Sequence, residues 1–510
     1  MGGSGTVRRF LPSVHTVVVI AAAVFAVLAS AAVAFQAPPL NSADEPAHLD
    51  YVIDVWHGTF PVFENGLTIR PPFGPLPPVQ WVAQHPPLFY WVLAPVVGPL
   101  WDGGHLYFAV LAGRSVNALF AGASVLACAW AARRIAPGRP EVASVAAIVV
   151  SCTSMLLLVG GAVYNDLPNV AFGALALGVA ATAIRRGIST PLVVGAALVT
   201  TGGMLSRLTF AVFLVAVAVG LLCALGLRRG PGFWNGWVGR VVAAALSVVV
   251  PVAAAGWFYL HNIATSGNVA GSHPEWSQTH MNRVTATFPD TVTSASFWKG
   301  VFAVFRGHEP VDSSDWTYAL LVVPVVLGLV VLVVGRLRRN RMAAPVAPRT
   351  GLLARRRATA PVAEPSVLAE PLVVLMLLAV FVLLVVLQVF FVMQGGAPQT
   401  RYGLPMMPIL AVVMGYGLAS WGRFVSPVLV TVWTVVAGRV WFDILQLATP
   451  PYLSAVPLQI ARVATVAAVV ALVVTLAVFW ISALRRPRVT APETPTPDVP
   501  AAPATVGSER

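Results

Sequence analysis

Long apolar runs recur along this chain, and most of them meet arginines at one end. A run of about 20 uncharged apolar residues spans the hydrocarbon layer of a bilayer as a helix. Within that layer each backbone N–H and C=O has to bond inside its own segment, so helices are what such runs form. Of the 510 residues 57% are hydrophobic and only 10% are charged, a balance that excludes an ordinary soluble domain. The expected fold class is an all-α polytopic membrane protein. The formal net charge of +13 comes mostly from short arginine clusters between the runs, where positive residues orient helices toward the cytoplasm. Nucleic acid is not an expected partner.

The arginines phase the runs. Arg8 and Arg9 precede the run Leu11 to Phe35, which is longer than the roughly 7–15 residues of a signal-peptide core. It reads as a first span, with residues 1–10 inside. A second span, Phe108 to Ala132, ends at Arg133-Arg134, and a third, Val142 to Val163, delivers Asn165-Asp166 outside. The fourth returns to Arg185-Arg186. A short fifth, Pro191 to Leu205, reaches Arg207 outside, and the sixth ends at Arg228-Arg229. The seventh, Val241 to Leu260, delivers His261-Asn262 outside. An eighth falls to the basic run Arg336 to Arg357, and the ninth rises to Gln394. The tenth ends near Arg423, the eleventh rises to Arg439, and the twelfth, Arg462 to Leu484, meets Arg485-Arg486.

About twelve spans result, with both termini inside. The membrane domain at 11–335 is joined to C-terminal helices at 371–484 by a cytoplasmic basic linker at 336–370. The Pro/Thr/Ala-rich tail, 485–510, has too little apolar content to fold. Outer loops are expected at 36–107 and 263–316. The first contains Leu88 to Trp101, too short to span and broken by Pro95 and Pro99, which fits a short helix lying at the interface. No internal repeat is visible, which weighs against carriers built from repeated halves. Cys128, Cys152 and Cys223 lie in apolar runs without CxxC spacing and read as small buried hydrophobes.

The phasing uses arginine clusters alone, yet it gathers Asp44-Glu45, His85, Asn165-Asp166, Arg207, His261-Asn262 and Arg401 on one face. Ionisable groups at helix ends under long loops form a candidate functional site. The densest stretch is Asn41 to Tyr51, which holds Asp44, Glu45, His48 and Asp50. Each residue also has a plainer role open to it. Asp44 is a good N-cap for a helix beginning near Pro46, and Asp166 suits a helix N-terminus. His48 and Asp50 fit a water-facing turn, and His85 a turn before Pro86-Pro87. Arg207 and Arg401 fit interfacial snorkelling, His261 an ordinary interfacial position, and Arg114 and Asn117 a bond to a neighbouring helix.

Four segments in this order resemble motifs of the GT-C class of membrane glycosyltransferases. The likeness is to phospholipid-carrier-dependent enzymes related to protein O-mannosyltransferases and the aminoarabinose lipid A transferase. The segments are Asp44-Glu45-Pro46-Ala47-His48, His85-Pro86-Pro87-Leu88-Phe89-Tyr90, Asn165-Asp166 and Gln399-Thr400-Arg401-Tyr402-Gly403-Leu404-Pro405. A fifth, Trp257 to Asn262, is similar to a run in which an arginine stands at the position of His261. The resemblance covers about residues 10 to 445. It implies a GT-C-like bundle whose long outer loops carry short interfacial helices, and a multi-pass cell-membrane enzyme with its site on the outer face.

The resemblance further implies transfer of a sugar from a polyprenyl-phosphate donor to a hydroxyl of a cell-envelope glycan, lipid or protein. The expected course is a single inverting displacement with Asp44 as general base. Glu45 or Asp166 would orient the acceptor or tune Asp44, through the like-charge effect of neighbouring carboxylates. Arg401 and Arg207 are the candidates for the lipid phosphate. His85, His48, Asn165, Tyr402 and His261 complete the expected substrate contacts. No ligand-spaced His/Asp cluster calls for a metal, so metal-independent chemistry without a cofactor is expected. The competing reading is a transporter or flippase of a lipid-linked saccharide. That activity needs groups reachable from both faces, whereas the centres of these runs are nearly free of charge.

Overall fold

The computed structural model describes residues 12–40, 44–72, 76–224, 232–306, 315–342, 368–446 and 455–485, and among these every regular element is helical. The segment 1–10, Arg228-Arg229, most of the basic linker and the tail beyond Arg485 lie outside the described residues. From the N-terminus, α1 (Val14–Gln36) is followed by two helices of the first loop, α2 (Glu45–Trp56) and α3 (Leu88–Asp102). Next come α4 (Leu106–Ile135), the bent pair α5 (Pro140–Ser151) and α6 (Ser154–Gly160), and α7 (Asp166–Arg186). Two shorter helices, α8 (Thr190–Met204) and α9 (Ala211–Leu222), precede the long α10 (Trp237–Ser266). The second loop carries α11 (Pro274–Met281), α12 (Phe288–Thr293) and α13 (Ala295–Phe302). The chain continues through α14 (Ala319–Met342), α15 (Ala369–Met393), α16 (Met407–Ala419), α17 (Gly422–Gln446) and α18 (Ala455–Leu484).

Among the described residues nine helical segments are long and apolar enough to cross a membrane, and the bent α5–α6 pair makes a tenth. The expected fifth and sixth spans fall on α8 and on Leu208–Leu222, which are shorter. At 15 residues, α8 rises only about 23 Å against a hydrocarbon layer of about 30 Å. Arg207, just beyond the end of α8, is 13% exposed and packs against Asp166 at the start of α7. α14 continues through Arg336 to Met342, into the segment expected to open the basic linker.

α1 packs against α4, α5 and α18. Ser13 caps it, its Oγ accepting from the N–H of Thr16 at 3.2 Å. Ala22, Ala26 and Ala29 along it are fully buried, and such small side chains let α4, α5 and α18 pack close to it. The end of α6 crosses α1 at similarly close range. A Cβ on Gly160 would fall 2.5 Å from Ser30 Oγ, and one on Gly161 would fall 2.9 Å from the carbonyl oxygen of Ser30.

The expected third span, Val142 to Val163, is broken rather than straight, because α5 and α6 meet at 58°. Neither proline nor glycine marks the break. Instead Ser151 Oγ bonds the carbonyl of Ile148 and Thr153 Oγ1 bonds that of Val149, both at 2.9 Å. Side-chain bonding back onto the helix bends it. The N–H of Met155 then leaves the helix ladder for the carbonyl of Val304 at 3.0 Å, and Ser154 Oγ bonds the carbonyl of Arg306 at 2.8 Å. The second loop is thereby anchored inside the bundle.

The first loop has an apolar core of its own. Leu40, Leu49, Tyr51 and Val52 pack with Phe89, Tyr90 and Leu93 of α3, all fully buried. Trp91, Val92 and Val96, on the other side of α3, are exposed, the pattern of a helix lying against a bilayer surface. At the opposite end of the bundle Arg185 pairs with Glu370 at 3.1 Å, and Arg139 bonds Ser420 Oγ at 3.0 Å. Along α7 the 21 residues from Asp166 to Arg186 place these basic groups about 30 Å from Asp166.

Candidate active site

Glu45 opens α2, is 1% exposed, and pairs with Arg114 of α4, which is 2% exposed. Arg114 Nε donates to Oε1 and Nη2 to Oε2, both at 2.7 Å, a bidentate fork. The same guanidinium donates to the carbonyls of Ala34, Ala37 and Pro38 at 2.8–2.9 Å, which are groups that the C-terminus of α1 leaves without helical partners. Glu45 Oε1 also accepts from the N–H of Val163 at 3.0 Å. Both carboxylate oxygens are committed, an arrangement that suits a positioning role beside Asp44. It ties the end of α1, the start of α2 and the entry to α7 at one point.

Asp44 precedes α2 at the N-cap position but makes no capping bond with its side chain. Its Oδ2 is instead the acceptor for Arg401 Nη2, with the two side chains 19% and 11% exposed. Arg401 lies in the turn Thr400–Met406 that leads into α16. Its guanidinium stacks over Tyr164 at 4.8 Å and Tyr402 at 5.3 Å, and its Nε donates to Gln399 Oε1 at 2.9 Å. Asp166, in the first turn of α7, forms the second pair with Arg207. Asn165, which precedes it, is fully buried and makes no side-chain cap bond.

Between the two pairs lie His48 and His85. Their rings are parallel, 8° apart, with centroids 6.0 Å apart. His48 is buried and bonds Tyr90 Oη through Nδ1 at 2.9 Å; Tyr164 packs edge-on against it at 5.2 Å. Arg207 Nη2 reaches His85 Nε2 at 3.5 Å. Burial holds both imidazoles well below their ordinary pKa. For His48 the positive fields of His85, Arg401 and Arg207 add to that, and for His85 those of Arg207 and Arg401. Both are therefore neutral at pH 7. The corner is fixed from α10, where Tyr259 Oη donates to the carbonyl of Met204 at 2.6 Å and Asn262 Nδ2 to that of Gln84 at 3.2 Å.

Two expectations change here: His48 and Asp50 do not face water. Asp50 is fully buried, its Oδ1 accepting from Thr68 N–H, Thr68 Oγ1 and Ile69 N–H at 2.7–2.9 Å, and its Oδ2 from Gln80 at 2.6 Å. It pins the first loop. His261 is exposed, as its plainer interfacial role supposes, and the buried positions of that turn are Tyr259 and Asn262. Asn117 does what its plainer role supposed, donating to the carbonyls of Val159 and Ala162 at 2.8 and 2.6 Å. One cation escaped the sequence analysis. Arg306 is 6% exposed, and its Nε and Nη2 have no hydrogen-bond partner among the described residues. As a single arginine in a polar loop it gave no sign of being buried. Among the described residues no group of three or more His, Cys, Asp or Glu side chains is arranged to hold a metal.

These titrations fix a pH dependence. Because His48 and His85 are depressed in the folded state, the unfolded chain binds more protons below about pH 6.5, and stability falls as pH is lowered through that range. Asp54 has the opposite sign. Burial, then the charge of Asp50, raises its carboxyl from 3.8 to about 6, so folding gains as pH falls from 6 toward 4. The thermal midpoint of Asp54→Asn in detergent should therefore drop more steeply between pH 6.5 and 5 than that of the wild type. Superimposable profiles would refute this assignment of charge states.

No protein-family profile and no curated protein sequence matches the chain. Among solved structures it is similar to ArnT from Cupriavidus metallidurans bound to undecaprenyl phosphate, with a TM-score of 0.45 and 16% identity, over 92% of this chain and 76% of that one. The apo state of the same protein gives 0.40 and 17%, over 89% and 74%. The chain is also similar to the oligosaccharyltransferase AglB from Archaeoglobus fulgidus in complex with an inhibitory peptide and a dolichol-phosphate. There the TM-score is 0.43 and the identity 12%, over 91% of this chain and 56% of that one.

Proposed function

We propose that this chain is a membrane glycosyltransferase that moves a sugar from a polyprenyl-phosphate donor to an acceptor hydroxyl on the non-cytoplasmic face. The reading is carried by one observation. Two carboxylate–guanidinium pairs, Asp44–Arg401 and Asp166–Arg207, flank a stacked, neutral histidine pair at the end of the bundle opposite the basic helix ends. The positive-inside bias assigns the basic end to the cytoplasm.

The pairs suggest how the base is controlled. While Arg401 holds Asp44, the guanidinium occupies a carboxylate oxygen that would otherwise meet the acceptor hydroxyl. A lipid phosphate offers the guanidinium more charge and more oxygens in the same fork geometry. Once phosphate takes Arg401, Asp44 is released beside it. The acceptor oxygen then attacks the anomeric carbon, Asp44 takes its proton, and the bond from that carbon to the phosphate oxygen breaks with its electron pair going to phosphate. Guanidiniums aimed at that oxygen stabilise the charge as it builds. His48 and His85 offer hydrogen bonds to the hydroxyl partners without adding charge. The cations in this scheme are guanidiniums, so it runs without a metal.

Arg401 and Arg207 already face carboxylates, so phosphate binding needs a further positive charge. We assign that role to Arg306. Its segment is joined to the Arg401 turn through Met155, whose N–H bonds Val304 and whose Sδ accepts from Thr400 Oγ1 at 3.5 Å. Losing a hydrogen bond to a charged group costs about 1.5–3 kcal/mol, so Arg306→Ala should raise the KM for the donor about 10- to 100-fold with kcat little changed. The reading as a whole is tested in proteoliposomes with labelled polyprenyl-phosphate sugars. Label should move to a hydroxyl acceptor. Passage of the intact lipid across the bilayer without sugar transfer would favour a flippase and overturn the proposal.

A further inference from the structure

Within this transferase reading, we propose that Asn165, Asp166 and Asn169 form the subsite that reads the ring hydroxyls of the donor sugar, with Asn169 a specificity-determining residue. The three lie within about one turn at the start of α7, at spacings that put them on one helix face. All are buried, Asn165 and Asn169 completely. Among the described residues neither polar atom of the Asn165 side chain has a hydrogen-bond partner, and the same is true of Asp166 Oδ2 and Asn169 Oδ1. Buried polar side chains are nearly always bonded, so four such atoms grouped on one turn call for a ligand.

Asn165 sharpens the point. An asparagine before the first turn of a helix ordinarily caps it, and this one does not. Asn169 is held from behind, its Nδ2 donating to Thr209 Oγ1 at 3.2 Å, which leaves Oδ1 as the end without a partner.

The atoms without partners select the ligand. They are three oxygen acceptors and one amide donor. Three oxygens, one of them on a carboxylate, repel an anion. A cation is disfavoured because the other oxygen of Asp166 already bonds the guanidinium of Arg207. A neutral group that both donates and accepts at neighbouring positions is left, and adjacent hydroxyls on a sugar ring are such a group. Arg207 bonds Asp166 on one side and reaches His85 on the other, so it adjoins the subsite at Asp166. When the donor phosphate draws that guanidinium away, Asp166 Oδ1 is freed as a further acceptor. The sugar is linked to the phosphate through a single oxygen and so arrives at the same place.

The experiment compares polyprenyl-phosphate hexose with analogues lacking one ring hydroxyl at a time, using the full-length chain in proteoliposomes. A site built to bond a hydroxyl rejects a substrate without it strongly. The wild type should therefore disfavour at least one deoxy donor by 100-fold or more in kcat/KM. Asn169→Ala should lower kcat/KM for the parent donor at least 10-fold while leaving that deoxy donor unchanged, collapsing the ratio. Asn169→Asp, which keeps the acceptor oxygen, should restore part of it. Should Asn169→Ala not fold, Asn169→Ser and Asn165→Ala are read by the same ratio. Equal losses for all donors, as expected if these atoms only hold buried water, would overturn the subsite and leave the transferase reading standing. Absence of transfer by the wild type from every donor would overturn both.

Discussion

Asp44→Asn should lower kcat for sugar transfer by about 10²–10⁴-fold, the usual worth of a positioned general base, in a chain that still folds. The structure separates this from a folding defect. Asp44 stands at the N-cap of α2 but makes no capping bond, and it is 19% exposed. An isosteric amide therefore removes no capping bond, and although the largely buried Arg401 loses its carboxylate partner, its guanidinium keeps the bond to Gln399 and the stacking on Tyr164 and Tyr402. The amide also leaves Arg401 without a competing carboxylate, so the donor phosphate should bind as well or better. Loss of kcat with an unchanged or lower KM marks an interaction made in the transition state and opposed in the ground state. Steady-state kinetics with the donor varied would check this. A raised KM at full kcat would make Asp44 a binding residue and require another base.

The arginine clusters carried most of the fold, because positive charge at helix ends is a strong, local signal. They also brought Asp44, His85, Asp166, Arg207 and Arg401 to one end of the bundle. The pairing of those groups was not legible. Nothing near Glu45 in sequence points to Arg114, which lies 69 positions away inside an apolar run. The bend between α5 and α6 carries no proline or glycine, and arises from Ser151 and Thr153 together with a loop whose backbone reaches in from Val304. Asp50 and His48 looked solvated because charged residues on a loop usually are, yet the loop folds over them. His261 and Asn262 are neighbours in sequence, and helical phase sends one outward and the other to the carbonyl of Gln84. Local composition predicts where a segment lies, whereas burial of a polar side chain depends on partners far along the chain.

The pair formed by Arg114 and Glu45 sets the largest expected effect on stability. With the two side chains 2% and 1% exposed, removing the cation leaves a buried carboxylate uncompensated and three carbonyls at the end of α1 without their donor. Breaking such a pair from one side costs about 3–5 kcal/mol, a large part of the 5–15 kcal/mol typical of a folded protein. Arg114→Met should lower the unfolding free energy in mixed micelles by that amount. Arg114→Met combined with Glu45→Leu should recover much of it, since no charge is then left buried. The two deletions should be strongly non-additive, and a simple sum would refute the pairing. Activity should not return with stability in the double variant. Glu45 adjoins Asp44, and the N–H of Val163 that it holds lies two residues before Asn165. The clamp therefore fixes the distance between Asp44 and the start of α7. Arg114→Lys keeps the charge but not the fork, so it should fold and still lose kcat with little change in KM, which separates positioning from simple stabilisation.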